Sequence, residues 1–278
     1  MNKLINIFKT NWISISISYL LFSISSIISF IYPKVLGNTI DHLVSKDYFY
    51  LWHLGILFLG MMFFGYISRV YDVKIFSKLY RKFASSEVNN QINNNVDSSK
   101  INGRITLMNS IISFFENDIT SIIQTFYGIT VSIYFISIVS LPIVFGLLIC
   151  GVLIVGLSYY FSPRIAQITK QRNDISEEQT EIVTSLKINF INNLLRRKQK
   201  LDIKSIKLNA KFFISIEMIV YFFITLLLGY YVITTKVTIG SVFSTYRYMF
   251  DFCSSVIGIT YIIPSFINIK DVIKRLEL

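Results

Sequence analysis

Charged residues are scarce in this chain. Only 15% of its 278 residues are charged, whereas 53% are hydrophobic and the mean hydropathy is +0.56. A soluble core does not need that much apolar side-chain surface, whereas helices that face lipid do. The composition therefore argues against a soluble globular protein and indicates a membrane protein.

Cysteine and histidine are rare, with two of each. Cys150 and Cys253 lie far apart inside apolar runs, so they predict buried small side chains and no disulfide framework. His42 and His53 lie near Asp41 and Asp47, which leaves an external metal site as an alternative. Two histidines flanking the entry to a span are more typical of interfacial residues, and we predict no metal.

A nucleotide-binding loop is also missing from these residues. A P-loop needs two glycines followed by Lys and Ser or Thr, because backbone amides and the lysine hold the phosphates. The nearest match, residues 151–158, lacks the lysine and lies inside an apolar run. No arrangement of Cys, His, Ser or acidic residues indicates a catalytic site. We therefore predict no catalytic residues and no cofactor in this chain.

Long apolar runs are abundant and begin near Trp12, Leu54, Ile122, Ile143, Phe212 and Gly240. The gaps between them alternate between short and long. Of the 27 basic residues, only Lys34, Lys46 and Lys236 fall in short gaps. Cytoplasmic loops hold excess Lys and Arg, so this pattern predicts six spans with both termini in the cytoplasm. The same asymmetry, with contact to anionic lipid headgroups, accounts for the net charge of +11 without nucleic acid.

The apolar periodicity predicts an all-α fold in which helices continue past the bilayer. We expect a short amphipathic helix before the first span and a first span over residues 13–32, ending at Pro33. A second span, from about residue 51 to residue 68, continues to Val88 because no Pro or Gly interrupts it. Tight connections follow near residues 141–142 and over residues 235–240. Two long cytoplasmic helical hairpins separate the remaining spans, and residues 1–278 form one membrane domain.

Three short segments resemble motifs of one transporter family. Residues 32–41 contain Pro33, Gly37 and Asp41 at four-residue spacing, residues 236–241 contain Thr238 and Gly240, and residues 272–276 end in Arg-Leu. Their order along nearly the whole chain resembles the transmembrane domain of ATP-binding-cassette (ABC) exporters. The resemblance implies six spans and no nucleotide-binding domain within residues 1–278.

In that family, the tips of the two inner hairpins carry coupling helices that dock on the ATPase. The resemblance places these contacts at two groups of residues: Gln91, Ile92, Asn95 and Asp97, and Ser176, Glu178, Gln179 and Glu181. Ser176 and Gln179 fit a capping box, which predicts a new helix starting there. The chain departs from the family after the first tip, where Met108 and Ile112 occupy positions that are usually charged. Ser185 and Asn189 depart similarly after the second tip.

Ionisable residues within the spans are the other candidates. Glu217 lies in the fifth apolar run, and Arg247 and Asp251 lie in the sixth, four residues apart. A charge in the bilayer is costly, so it normally faces a cavity or a partner. Arg247 and Asp251 either pair with each other or line a translocation cavity with Tyr246. Tyr248 and Tyr261 are further candidates for an aromatic lining.

The resemblance implies a membrane subunit of an ATP-driven exporter. The abundance of Ile, Asn and Lys is typical of AT-rich bacterial genomes, which predicts a bacterial cytoplasmic membrane. The partners of this subunit would be a separate ATPase subunit that carries ATP and Mg, a second transmembrane subunit, identical or related, and membrane lipids. Peptides, lipids and amphipathic drugs are all compatible substrates. The alternative is a non-transporting interaction or immunity-type protein on the same scaffold. A proton- or ion-coupled carrier is a third hypothesis, which requires Glu217 or Asp251 to be indispensable.

Overall fold

Six long apolar helices dominate the fold. A computed structural model of the chain describes residues 2–93, 98–184 and 188–277. These described residues are 96% helical and include no strand. Six of the helical stretches are long and apolar enough to cross a membrane: Asn11–Val44, Tyr50–Ser86, Leu107–Val139, Leu141–Arg172, Asn193–Thr234 and Ile239–Lys274. The predicted fold class, an all-α membrane protein with six spans, is confirmed.

The helices lie in simple order along the chain. The described residues form α1 (Asn2–Val44), α2 (Tyr50–Asn93), α3 (Ser98–Ser113), a π-helical turn (Phe114–Asp118), α4 (Ile119–Val139), α5 (Leu141–Thr184), α6 (Ile188–Thr234) and α7 (Ile239–Glu277). At 1.5 Å per residue, the 44 residues of α2 and the 47 of α6 span about 66 and 70 Å. A bilayer core is only about 30 Å thick, so both helices continue well beyond it. The predicted long helical hairpins are confirmed, although residues 94–97 and 185–187 at their turns lie outside the described residues.

The first compact unit comprises Met1–Val144 and Leu228–Leu278. In it, α1 packs against α2, α4 and α7, and α4 packs along α7. One apolar cluster joins Ile15 of α1, Phe76 and Leu79 of α2, and Ile112 of α3. A second cluster joins the π-helical turn and α3 to the end of α7. The helices of this unit are therefore held together along their length.

The second compact unit comprises Phe145–Leu227, which contains most of α5 and α6. Buried side chains recur at helical spacing on both helices: Leu147, Cys150 and Ile154 on α5, and Phe212, Ile216, Val220 and Ile224 on α6. A Cβ added to Gly146 would lie 2.4 Å from Leu227, so α5 and α6 approach closely there. Farther along, Arg172 and Asp202 form an ion pair at 2.9 Å. The two helices therefore form an antiparallel pair.

The predicted end of the first span at Pro33 is wrong, because α1 continues through Pro33 to Val44. Pro33 removes one helical hydrogen bond, but its side chain is fully buried. Its carbonyl also accepts a 2.9 Å hydrogen bond from the buried Ser244 hydroxyl of α7. Tertiary packing thus compensates for the proline. At the other end of α1, Asn11 has non-helical backbone angles, which separates a short N-terminal helix from the span as predicted.

The predicted new helix at Ser176 is also wrong, because α5 runs without interruption from Leu141 to Thr184. No Gly or Pro occurs between residues 164 and 184, so the capping pattern at Ser176 meets no helix end. The two tight connections are confirmed. Ser140 alone is extended between α4 and α5, and residues 235–238 separate α6 from α7.

Candidate functional site

Asp41 joins the two segments whose sequences resemble family motifs. Its Oδ2 accepts a 2.6 Å hydrogen bond from the Thr238 hydroxyl, and its Oδ1 accepts a 2.7 Å hydrogen bond from the backbone N–H of Gly240. Gly240 lies in the first turn of α7, where backbone N–H groups have no helical partner. The carboxylate of α1 therefore caps α7 from a position 199 residues away in the sequence.

Two glycines permit this close approach. A Cβ added to Gly240 would lie 1.9 Å from the Gly37 carbonyl oxygen, and one added to Gly37 would lie 1.9 Å from the Ser244 hydroxyl. Both distances are shorter than any tolerated contact, so only glycine fits at either position. We call Gly37, Asp41, Thr238, Gly240 and Ser244 the α1–α7 clasp. These residues form a closely packed, hydrogen-bonded junction between the two helices.

The nearby histidines take part in local contacts. The His42 ring stacks on Tyr50 with centroids 3.5 Å apart, and its Nδ1 lies 3.2 Å from Asp47. His53 packs against the rings of Phe49 and Tyr50. The turn between α1 and α2 is thus built from ring stacking and the contact between His42 and Asp47. The interfacial role of both histidines stays a prediction.

Arg247 and Asp251 form the predicted ion pair on α7, with 3.2 Å between Nη2 and Oδ1. The Arg247 side chain is 48% exposed, whereas that of Asp251 is only 11% exposed. Tyr246 is also exposed beside them. Tyr248, however, is buried and stacks on Phe135 with centroids 4.8 Å apart. The suggestion that Tyr248 lines a cavity is therefore wrong in this chain: its ring packs between α4 and α7.

A longer polar surface extends from this ion pair along α7. Exposed or half-buried residues recur at alternating spacings of four and three: Arg247, Asp251, Ser254, Gly258, Tyr261, Ser265 and Asn268. We call them the α7 polar stripe. The exposed face of α2 is different, because it carries large apolar side chains such as Trp52, Leu59 and Met62. α2 thus offers a surface suited to lipid, whereas α7 offers one suited to water or a polar ligand.

The stripe runs beside the line of contact between α7 and α4. A Cβ on Gly128 would lie 1.9 Å from the Ser255 hydroxyl, and one on Gly258 would lie 2.8 Å from the Thr125 hydroxyl. Near the π-helical turn, the Ser265 hydroxyl donates to Asp118 at 3.0 Å. Small residues therefore let the two helices approach while polar groups stay next to the contact.

A buried carboxylate on α2 was not predicted. Asp72 is only 8% exposed and accepts a hydrogen bond from the fully buried Ser18 hydroxyl of α1. Ser68, Asp72, Phe76 and Leu79 are all buried and occupy one face of α2 at helical spacing. The continuation of α2 through this segment was predicted, but the bond between Ser18 and Asp72 joins positions 54 residues apart, which local spacing does not identify.

The remaining sequence candidates lie elsewhere. Glu217 is exposed on α6, beside the exposed Met218 and Tyr221. Of the coupling candidates, Gln91 and Ile92 occupy the last turn of α2, and Asn95 and Asp97 lie outside the described residues. The other four, Ser176, Glu178, Gln179 and Glu181, lie within the last three turns of α5. The described candidates are thus placed near the ends of two long helices.

Comparison with known families adds one match. The sequence profile of a family described as the ABC transporter transmembrane region matches residues 4–245. This range includes both halves of the α1–α7 clasp and both long helical hairpins. No curated protein matches the chain in a sequence search.

Proposed function

Because this chain belongs to the ABC transporter transmembrane region family, we propose that it is the membrane subunit of an exporter whose ATPase is a separate chain. Its place as a multi-pass membrane subunit of an ABC transporter follows from the family and the six spans. Transmembrane regions of this family work with ATP-binding partners. The observation that carries the proposal is the family match over residues 4–245. Residues 1–278 contain no phosphate-binding loop, so ATP is bound by residues outside this range.

The α7 polar stripe supports a translocation pathway. Insertion of a charged residue at the bilayer centre costs about 2.5–3.5 kcal/mol, so a charge there usually faces a polar cavity or a partner. The stripe combines the Arg247–Asp251 pair with exposed hydroxyl, amide and tyrosine side chains. We assign Tyr246, Arg247 and Asp251 to the substrate pathway on this ground. We add Glu217 because it is a carboxylate on an otherwise apolar helix face.

In this proposal, the partner ATPase drives transport by acting on the ends of the long helices. The partner ATPase supplies ATP hydrolysis with Mg, and its closure moves the two tips that contain the coupling residues named above. The opposite end of α7 is held to α1 by the clasp, so a displacement at the tips is transmitted along continuous helices rather than absorbed in loops. A second transmembrane subunit, identical or related, completes the pathway.

The proposed setting is a bacterial cytoplasmic membrane with both termini in the cytoplasm, as the sorted basic residues predict. Peptides, lipids and amphipathic drugs remain candidate substrates, since a pathway that combines an ion pair, hydroxyl groups and tyrosines accepts amphipathic molecules. We take the direction of transport to be export because the chain resembles ABC exporters.

Copurification tests the proposal. Expressed with ATPase chains encoded next to its gene, the chain should bind one of them and stimulate its ATP hydrolysis. Reversing two charges at one tip, Glu178→Lys with Glu181→Lys, should abolish stimulation. The control Asp47→Lys changes an exposed acid in the turn between α1 and α2 and should leave stimulation intact. Failure of the intact chain to bind any such ATPase would contradict the proposal.

The alternative is a non-transporting interaction or immunity-type protein on the same scaffold. One observation favours it: Ile112, at a position that is usually charged in ABC exporters, is packed into the apolar cluster with Phe76 and Leu79. A protein of this kind would keep its biological effect in the Glu178→Lys, Glu181→Lys variant. An exporter would lose transport in the same variant, so one pair of substitutions separates the two functions.

A further inference from the structure

Helix α6 carries a row of cations on one side. Five basic residues recur at spacings of four, four, three and four, and all are exposed: Arg196, Lys200, Lys204, Lys207 and Lys211. At about 100° per residue, their side chains fall within an arc of about 80°. We call them the α6 basic stripe. Such a narrow arc makes a continuous positive surface rather than charge scattered around the helix.

Among the residues whose side chains the structure describes, no acidic side chain forms an ion pair with this stripe. Asp202 is the only acid between Glu181 and Glu217 in the sequence. Its carboxylate lies 2.9 Å from the guanidinium of Arg172 on α5. On a helical projection Asp202 is also outside the arc of the stripe. The positive surface is therefore available to an external anion.

Aromatic residues mark the membrane boundary in the same unit. Phe212 follows the stripe immediately and contacts Phe161 of α5, with ring centroids 5.5 Å apart. At this level Tyr159 and Tyr160 are exposed on α5, and the Arg164 guanidinium lies over the Tyr160 ring at 4.3 Å. Exposed tyrosines beside basic residues are typical of the headgroup region. Lys211 is therefore at headgroup level, where the apolar run begins.

The residues of the α6 basic stripe lie at different distances from the membrane boundary at Phe212. At 1.5 Å per residue, Lys211 and Lys207 lie about 1.5 and 7.5 Å along the helix from Phe212, whereas Lys200 and Arg196 lie about 18 and 24 Å away. The screening length at physiological ionic strength is about 8 Å. Only the lysines near Phe212 are within electrostatic reach of lipid phosphates.

We propose that Lys207 and Lys211 form a binding site for the phosphate headgroup of anionic phospholipid on α6. Clusters of Lys next to a membrane span bind anionic lipid because each cation near the surface adds attraction. An acidic protein surface is the competing occupant, and it would favour the distal half of the stripe, which projects away from the lipid. The position of Phe212 favours lipid for the proximal half.

The test uses the detergent-purified full chain and two lipids with identical acyl chains, dioleoyl phosphatidylglycerol and dioleoyl phosphatidylcholine. Native mass spectrometry measures the bound fraction of each lipid as its concentration rises. The wild-type chain should prefer the anionic lipid. Since each lysine near the surface contributes roughly fivefold, Lys207→Gln with Lys211→Gln should reduce this preference by about 25-fold.

The matched control is Arg196→Gln with Lys200→Gln, which removes the same charge from the same helix face. It should retain the preference, as should Lys207→Arg with Lys211→Arg. An equal loss in the distal pair would show a general charge effect and overturn the site. No preference in the wild type, or an unchanged preference in the proximal pair, would also overturn it. If the Gln pair does not purify, the single changes Lys207→Gln and Lys211→Gln are compared with Arg196→Gln and Lys200→Gln. A loss of roughly fivefold in the first two variants alone supports the site, and equal losses in all four contradict it.

Discussion

Replacing Gly240 by alanine should weaken the α1–α7 clasp. The added Cβ would lie 1.9 Å from the Gly37 carbonyl oxygen. Restoring even a 3.0 Å contact requires a shift of about 1.1 Å, which would lengthen the 2.7 Å bond between Asp41 and the Gly240 N–H to about 3.8 Å. The substitution therefore overpacks the junction and also removes a charge-assisted hydrogen bond.

The magnitude follows from these two effects. Overpacking costs about 1–3 kcal/mol, and a hydrogen bond to a charged group contributes about 1.5–3 kcal/mol. A total loss of at least about 2 kcal/mol should lower the unfolding temperature by roughly 4–8 °C, at about 2–4 °C per kcal/mol for a chain of this size. The assay is thermal unfolding of the purified chain in one detergent.

Two control substitutions of glycine by alanine should raise stability instead of lowering it. Gly55 and Gly60 lie within α2 with no atom within 4 Å of an added Cβ. Alanine at either position should raise stability by roughly 0.5–1 kcal/mol, because glycine is unfavourable inside a helix. If Gly240→Ala is as stable as Gly55→Ala, the close approach of α1 and α7 is not present in the protein, and the reasoning is refuted.

Three further predictions concern charged groups. Arg247→Gln alone should lower stability more than Arg247→Gln combined with Asp251→Asn. The single change leaves the Asp251 carboxylate, which is only 11% exposed, without a cation beside it. Equal unfolding temperatures for the two variants would contradict the pairing. Asp72→Ala should lower the free energy of unfolding by about 1–3 kcal/mol, because it leaves the fully buried Ser18 hydroxyl without its acceptor. At about 2–4 °C per kcal/mol, an unfolding temperature within 1 °C of wild type would count against that contact. Glu217→Gln should change stability by less than about 0.5 kcal/mol, because the side chain is exposed; transport assays of this variant then decide whether Glu217 serves the pathway.

Local patterns predicted the helices well and the tertiary contacts poorly. The end of α6 at Thr234 and the break at Ser140 follow from short polar gaps between apolar runs. The continuation of α1 through Pro33 does not, because it depends on the Ser244 hydroxyl and on burial against α7. At Ser176 a local pattern misled the prediction. The capping pattern is present, but nothing in the sequence ends the preceding helix.

In the candidate site, too, contacts within one helix were predictable and contacts between distant segments were not. The spacing of Arg247 and Asp251 predicted their contact, and the stripe that continues through Ser254, Tyr261 and Asn268 has a period that was equally readable. The bond from Asp41 to Gly240 joins positions 199 residues apart, and no spacing rule identifies such a pair. Resemblance to family motifs pointed to both segments, but only the fold shows that they meet.

The central claim is that the α7 polar stripe lines a pathway driven by a partner ATPase. The most direct measurement places a cysteine at Ser254, after replacement of Cys150 and Cys253, and labels it with a membrane-impermeant maleimide from either side. With the partner ATPase bound, labelling should occur from the cytoplasmic side without ATP and from the opposite side when ATP is trapped. A cysteine at Met62, on the apolar face of α2, should react from neither side. Labelling of position 254 that is absent, or that does not depend on ATP, would contradict the claim.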